Sequence, residues 1–140
     1  MAERKLKEQK IVVSGKRKTA IARAVVQKGK GKIKINNIPY ELLNKIDRLM
    51  VEEPIQITKK VLGDFNFDIN IKIRGGGRES QIEAARLVIG RGVLNLTKSE
   101  ALKKAFLSYD RNLLVADTRK KETYKPGDSK ARKKRQKSYR

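Results

Sequence analysis

The chain has 140 residues, and its 36 lysines and arginines outnumber 15 acidic residues, giving a formal net charge of +21. This length suits one modest domain, and self-repulsion of this size predicts a permanent counter-charge, which phosphate backbones supply best. Cysteine and histidine are absent, which excludes disulfides and thiolate metal sites and removes the commonest general base. No signal peptide, lipidation signal or apolar run of ~18 residues is present, so we expect no membrane partner.

The first predicted elements are a loose segment, a short strand and a basic turn. Residues 1–10 are polar, Ile11–Val13 predicts a strand, and Lys16, Arg17 and Lys18 follow it. Three consecutive cations at a strand edge favour a phosphate clamp, and a solvated turn is the alternative. The stretch 19–27 predicts a second strand, because small residues and larger ones alternate along it. One face has Ala20, Ala22, Ala24 and Val26, and the other has Ile21, Arg23 and Val25.

The stretch 28–63 predicts a hairpin followed by helix. Residues 28–31 are typical of a hairpin tip, residues 32–35 alternate lysine with isoleucine, and Asn36 and Asn37 form a further turn. Pro39 suits the first turn of a helix, and Pro54 is expected to start a second helical piece that ends at Gly63. We interpret the apolar residues at helical spacing as core: Leu42, Leu43, Ile46, Leu49 and Met50, then Ile57 and Val61.

The clearest strand is the stretch 67–74, in which apolar and polar residues alternate strictly. This pattern predicts a sheet that is covered on one face only. Three glycines, 75–77, follow the strand, and residues 80–94 predict a helix with Ile82, Ala85, Ile89 and Val93 on one face. The glycines either make a tight turn or let backbone amides approach a phosphate beside Arg74 and Arg78. They match neither GxGxxG nor GxxxxGK[ST], so no nucleotide pocket is expected.

The last predicted elements lie between residues 90 and 116. Gly90 and Gly92 flank Arg91 within the helix, and close approach of another backbone would explain them. The stretch from Thr97 to Glu100 resembles a capping box that opens a helix through about Leu107. The final apolar anchor is Val115 or Ala116.

The remaining stretch, 117–140, is a basic tail. It contains no Leu, Ile, Val, Phe, Met or Trp, and 11 of its 24 residues are Lys or Arg against three acidic residues. Such a segment is expected to stay extended and solvated until a polyanion orders it. Fully extended, 24 residues reach roughly 80 Å. We therefore divide the chain into a loose segment 1–10, a globular domain 11–116 and a tail 117–140.

Catalysis is not expected, because the acidic residues are scattered. Asp64 and Asp68 could share a neighbourhood and hold Mg²⁺, which leaves a metal-dependent nuclease as a remote alternative. No helix-turn-helix, zinc finger or basic zipper pattern is present. The few aromatic residues include Tyr124 and Tyr139 in the tail, which could stack on bases. Binding is expected to depend on phosphates and RNA shape rather than on base reading.

Three motifs occur in a fixed order along the chain. The first is the stretch 15–24, GKRKTAIARA. The second joins the glycines 75–77 to Gln81, Ala84, Arg86, Ile89, Arg91 and Leu94. The third joins Asp110 and Arg111 to the ending of the chain, 131–140. Together these motifs resemble the universal ninth protein of the small ribosomal subunit. The segment LLVAD and the ending SYR are similar to the archaeal and eukaryotic form of this family, and the likeness covers about 11–140.

The resemblance implies an α+β fold with a small twisted sheet and helices on one face, like the second domain of the fifth small-subunit protein, plus an extended basic C-terminal tail. It implies a cytoplasmic, non-catalytic constituent of the subunit head that binds ribosomal RNA, neighbouring head proteins and P-site tRNA, with no cofactor or metal. The residues expected to contact ribosomal RNA are Lys16, Arg17, Lys18, Arg74, Arg78, Arg91, Arg111, Lys130, Arg132, Lys133, Lys134 and Arg135. Lys137 and Arg140 are expected to contact tRNA. A free-standing RNA chaperone, or a subunit of another ribonucleoprotein, is the alternative.

Overall fold

The computed structural model describes residues 10–127 and Arg132, and it confirms the α+β class. A five-stranded mixed sheet packs against three helices. The strands are β1 (Ile11–Arg17), β2 (Ala20–Lys28), β3 (Ile33–Ile35), β4 (Ile38–Pro39) and β5 (Phe67–Arg74). The helices are α1 (Lys45–Leu62), α2 (Arg78–Thr97) and α3 (Glu100–Tyr109), with 3₁₀ turns at Tyr40–Leu42 and Arg111–Leu113.

The sheet order is β1-β2-β5-β3-β4, and every pair is antiparallel except β3 with β5. The predicted hairpin at residues 28–31 is therefore wrong, because β5 lies between β2 and β3. A parallel pair requires a long crossover, and α1 lies within the connection from β3 to β5. The Asp68 carboxylate on β5 holds the β2–β3 connection by accepting the amides of Lys30 and Lys32 at 2.9 Å each.

The core lies between one face of the sheet and α2. The alternation predicted for β2 and β5 is confirmed, since Ala20, Ala22 and Ala24 are buried and β5 buries every second residue. Helix α2 contacts β1, β2 and β5 directly, while α1 packs against α2 and α3. Small side chains on β2 let α2 approach closely: a Cβ added to Gly92 would lie 2.5 Å from Val26 Cγ2. None of the described elements covers the opposite face of the sheet, in agreement with the prediction.

Helix α1 corrects two predictions. It is one continuous helix with Pro54 inside it, rather than two pieces. Its buried face consists of Asp47, Val51, Pro54, Ile55 and Thr58. At 3.6 residues per turn, much of the stripe predicted as core lies on the opposite side of the helix. The exposed fractions of Ile46 and Leu49 are 73% and 53%, and Leu42, which precedes α1 in the first 3₁₀ turn, is 75% exposed.

The helix ends follow backbone geometry that the sequence reveals only partly. The N-cap of α3 is Ser99, whose hydroxyl accepts the amide of Leu102, so the predicted cap at Thr97 is wrong. The Thr97 hydroxyl instead donates to the carbonyl of Val93 at 2.9 Å in the last turn of α2. Gly90 meets another backbone as predicted: an added Cβ would lie 2.7 Å from the Leu113 carbonyl oxygen.

Replacing Gly90 with alanine tests this close approach. Alanine normally stabilises a helix interior by about 1 kcal/mol relative to glycine. Here the new methyl group would collide with a backbone oxygen, so we expect Gly90→Ala to lower the free energy of unfolding by about 1–3 kcal/mol in urea titrations. Gly77→Ala is the control, because an added Cβ there meets nothing within 4 Å. Equal stability of Gly90→Ala and the unaltered chain would contradict the packing described.

Candidate nucleic-acid interface

The uncovered side of the sheet, here called the open face, carries five cations. Lys16 lies on β1, Arg23 on β2, Lys34 on β3, and Lys72 and Arg74 on β5; all five are exposed. The strand register places Arg23 directly beside Lys72. Among the described residues, none of these five side chains forms an ion pair or a hydrogen bond. Their charge is therefore available to an external anion.

Three other arginines of the domain contact groups of the protein itself. Arg17 pairs with Glu83 and Asp117. The Arg78 Nε donates to Asp47 Oδ2 at 2.7 Å. The Arg91 guanidinium donates to the carbonyls of Leu114 and Ser14 at 2.7 and 3.1 Å. These contacts join β1, α1 and α2 to one another and to the segment that leaves the domain.

The start of the tail is anchored by a carboxylate. The Asp117 side chain, only 10% exposed, contacts Arg17 on β1 and Arg119 two residues further on. The Arg119 guanidinium and backbone amide, together with the Arg17 guanidinium, hold the pKa of Asp117 well below its usual range. The ion pair between Arg17 and Asp117 thus sets the direction in which the chain leaves the domain. Residues 118–125 have no regular secondary structure.

The β1–β2 turn and the start of the tail share one depression. Lys16 near the end of β1 and Lys18 in the turn line one side of it, and Arg119 and Lys120 line it from the tail, around a volume of about 360 Å³. Lys18 has a left-handed backbone, with φ of 52°, at the tip of the turn. Four cations around one depression extend the positive surface from the open face to the tail.

The glycine turn between β5 and α2 has a packing explanation. Gly75 and Gly76 have φ of 76° and 72°, backbone conformations that residues with side chains rarely adopt. A Cβ on Gly76 would lie 2.8 Å from the Ala20 Cβ, and one on Gly75 would lie 2.7 Å from the Thr19 carbonyl oxygen. The tight-turn interpretation accounts for both glycines. Phosphate binding at this turn stays a prediction.

The structure brings together only part of the predicted site. Lys16 and Arg74 lie on the open face, Lys18 lies on the turn, and Arg111 is exposed in the second 3₁₀ turn. Arg17, Arg78 and Arg91 make the internal contacts above, and the Arg132 Nε contacts Glu122 at 3.0 Å. The predicted contacts of all these residues with RNA stay predictions. Six predicted residues lie outside the described residues: Lys130, Lys133, Lys134, Arg135, Lys137 and Arg140.

Arg23, Lys34 and Lys72 were missed as site residues. Their outward orientation follows from strand alternation, which was available from the sequence. Their proximity to one another was not available, because it depends on β5 pairing with β2 on one side and β3 on the other.

The described part of the chain offers little support for metal chemistry or a membrane span. Within it, no group of three or more acidic side chains could hold a metal ion. Asp68, one of the two carboxylates considered for Mg²⁺, is used by the β2–β3 connection. No helix in residues 10–127 has both the length and the apolar character needed to cross a bilayer.

The fold and the charge distribution define a small, highly basic α+β protein with one cationic face. The family model described as ribosomal protein S9/S16 matches residues 15–140, and the chain belongs to this family. It is 46% identical over 129 residues to small ribosomal subunit protein uS9 of Methanococcus vannielii, covering 90% of this chain and 95% of that protein. It is 45% identical over 128 residues to uS9 of Methanothrix thermoacetophila, covering 91% and 96%.

Family membership confirms the resemblance to the archaeal form. It makes the chain a structural, non-enzymatic constituent of the small ribosomal subunit. The nuclease alternative is thereby set aside. A free-standing chaperone is no longer needed to explain the positive charge.

Removing the Asp117 carboxylate tests the anchor of the tail. The folded-state pKa of Asp117 is depressed, so its contribution to stability is present above the unfolded pKa of about 3.9 and is lost as pH falls through the folded value. We expect Asp117→Asn to be less stable than the unaltered chain at pH 7. The difference in free energy of unfolding should shrink steadily below about pH 4.

Glu122→Gln is the matched control, because Glu122 also pairs with an arginine but its side chain is 57% exposed. Exposed pairs contribute little to stability, so this variant should unfold like the unaltered chain at every pH. An Asp117→Asn deficit that stays constant down to pH 2 would contradict the ion-pair explanation.

Proposed function

We propose that the chain binds small-subunit ribosomal RNA through its open face and through the cationic depression beside the β1–β2 turn. The observation that carries this proposal is that paired and unpaired cations lie on different sides of the sheet. Arg17 and Arg78 are neutralised by carboxylates, whereas the cations of the open face have no partner among the described residues. Phosphates are the anions that such a surface meets within a ribosomal subunit. Sheet cations at fixed spacing would position the domain, with little reading of bases.

The basic tail is proposed to continue this surface away from the domain. We propose that residues 11–116 form the folded domain and that residues 117–140 follow a path through ribosomal RNA. Lys130, Arg132, Lys133, Lys134 and Arg135 would line that path. The high charge and lack of apolar residues in this segment support the division. The anchoring of Asp117 supports it further, because it directs the chain outward beside Lys16 and Lys18.

The end of the tail is proposed to contact the P-site tRNA through Lys137 and Arg140. This step rests on the match of the family model, which extends to residue 140, and on the reach of an extended chain. An arginine can pair with a phosphate through two hydrogen bonds. We further propose that the protein works in the cytoplasm beside neighbouring proteins of the subunit head.

The salt dependence of RNA binding tests the open face. Each lost phosphate contact lowers the slope of log affinity against log salt by about 0.7–0.9. We therefore expect Arg23→Gln with Lys72→Gln to lower the slope by about 1.4–1.8 on a small-subunit head RNA fragment, measured by filter binding. The control is Lys103→Gln with Lys104→Gln, which removes two exposed cations from α3. Equal slopes for the two double variants would contradict the open face as the interface.

Charge removal at the end of the tail tests the tRNA contact. We expect Lys137→Gln with Arg140→Gln to weaken P-site tRNA binding to purified subunits severalfold, because two charge-assisted contacts are lost. Incorporation of the protein into subunits should be unchanged in sedimentation profiles. Ser138→Ala is the control within the same segment. Unaltered tRNA affinity with normal incorporation would contradict the tRNA contact and leave the ribosomal RNA interface intact.

A further inference from the structure

The open face also carries aliphatic side chains that the fold does not use. Val12, Ile21 and Val25 point away from the helices, and their exposed fractions are 71%, 46% and 41%. Val12 and Val25 are direct partners across β1 and β2, and Val25 pairs with Asn70 on its other side. All three aliphatic residues are β-branched, so their side chains are conformationally stiff. They form a pre-organised apolar surface.

This apolar surface lies in a depression whose surroundings are cationic. The depression has a volume of about 470 Å³, and the aliphatic side chains line it together with Arg23, Asn70, Lys72 and Arg74. None of the described residues that line it is acidic. An apolar centre beside three cations fits a ligand that presents a flat apolar group between negative charges.

Paired RNA is a poor match for such a surface. An A-form duplex presents phosphates and ribose hydroxyls outward and keeps its bases stacked inside. It would use Arg23, Lys72 and Arg74 but would leave Val12 and Val25 in water. An unpaired nucleotide presents both a flat apolar group and negative charges. Its base is free to leave the stack, while its two flanking phosphates remain charged.

We propose that the open face takes one unpaired nucleotide of ribosomal RNA, with its base lying on Val12, Ile21 and Val25. The flanking phosphates contact Arg23, Lys72 and Arg74. The Asn70 amide offers both a donor and an acceptor to the edge of the base. An aliphatic floor has no hydrogen-bond pattern of its own, so base preference is weak. This inference rests on the proposed function and names the RNA feature that the same face binds.

Binding of the full chain to three RNAs of equal phosphate count tests the proposal. The RNAs are a perfect duplex, a duplex with one bulged uridine and a single strand, compared by fluorescence anisotropy at fixed salt. We expect Val12→Ser with Val25→Ser to weaken binding of the bulged and single-stranded RNAs about fivefold, as loss of part of an apolar contact predicts. Binding of the perfect duplex should stay within about twofold of the unaltered chain.

The matched control is Ile46→Ser with Leu49→Ser, which replaces two exposed aliphatic residues on α1. It should leave all three affinities unchanged. Urea unfolding of each variant verifies that the fold is retained, as the exposure of all four positions predicts. The tail is present throughout and adds the same cations to every measurement.

The outcomes separate this inference from the proposed function. The proposal of an unpaired nucleotide is overturned if Val12→Ser with Val25→Ser weakens binding of all three RNAs equally, or changes none of the three affinities. If Arg23→Gln with Lys72→Gln still weakens every RNA, the interface itself stands. If that variant also has no effect, both fail.

A photo-cross-linking amino acid at Val25 in purified small subunits gives a second readout. We expect its product to map to a nucleotide outside base pairs. A cross-link to a base-paired nucleotide or to a protein overturns the proposal.

Discussion

Close packing of α2 on the small-residue face of β2 is the constraint on which the structure depends. Ala20, Ala22 and Ala24 are at most 1% exposed, and Gly92 allows the helix to lie against Val26. This packing commits one side of the sheet to the core. Because the other helices pack against α2 or beside it, no element of residues 10–127 covers the opposite side. The open face is thus a direct consequence of how the core is built.

The same division determines what each arginine can do. Three arginines beside the helices, Arg17, Arg78 and Arg86, pair with nearby carboxylates, which belong to Asp47, Glu53, Glu83, Asp110 and Asp117. Within the part of the chain that the structure describes, Asp68 on β5 is the one acidic strand residue on the open face, and its carboxylate is occupied by two backbone amides. These five carboxylates join elements on the helix side, whereas the cations of the open face have no carboxylate partner among the described residues. Part of the net charge of +21 is thereby gathered on one face of the sheet.

Alternation along a strand is what made the sheet predictable. Residues 67–74 and 20–26 carry their own orientation in the pattern, and the structure confirms which side chains are buried. Pairing order is a different kind of information. Insertion of β5 between β2 and β3 depends on contacts between residues 36 to 53 positions apart, which local turn chemistry at Lys28–Gly31 cannot reveal. The proximity of Arg23 and Lys72 was missed because the pairing order could not be predicted from local sequence.

Helix α1 shows the limit of periodicity more sharply. Leu42, Ile46 and Leu49 have helical spacing, and so do Val51 and Ile55, so the sequence contains two apolar stripes on opposite sides. Only packing against α2 and α3 selects the second stripe for the core. Pro54 and the composition of α1 do not change which stripe is buried. The proline is accommodated inside the helix because contacts with neighbouring elements hold the helix together. Local pattern therefore identifies which residues are able to be buried, whereas the arrangement of the other elements decides which of them are.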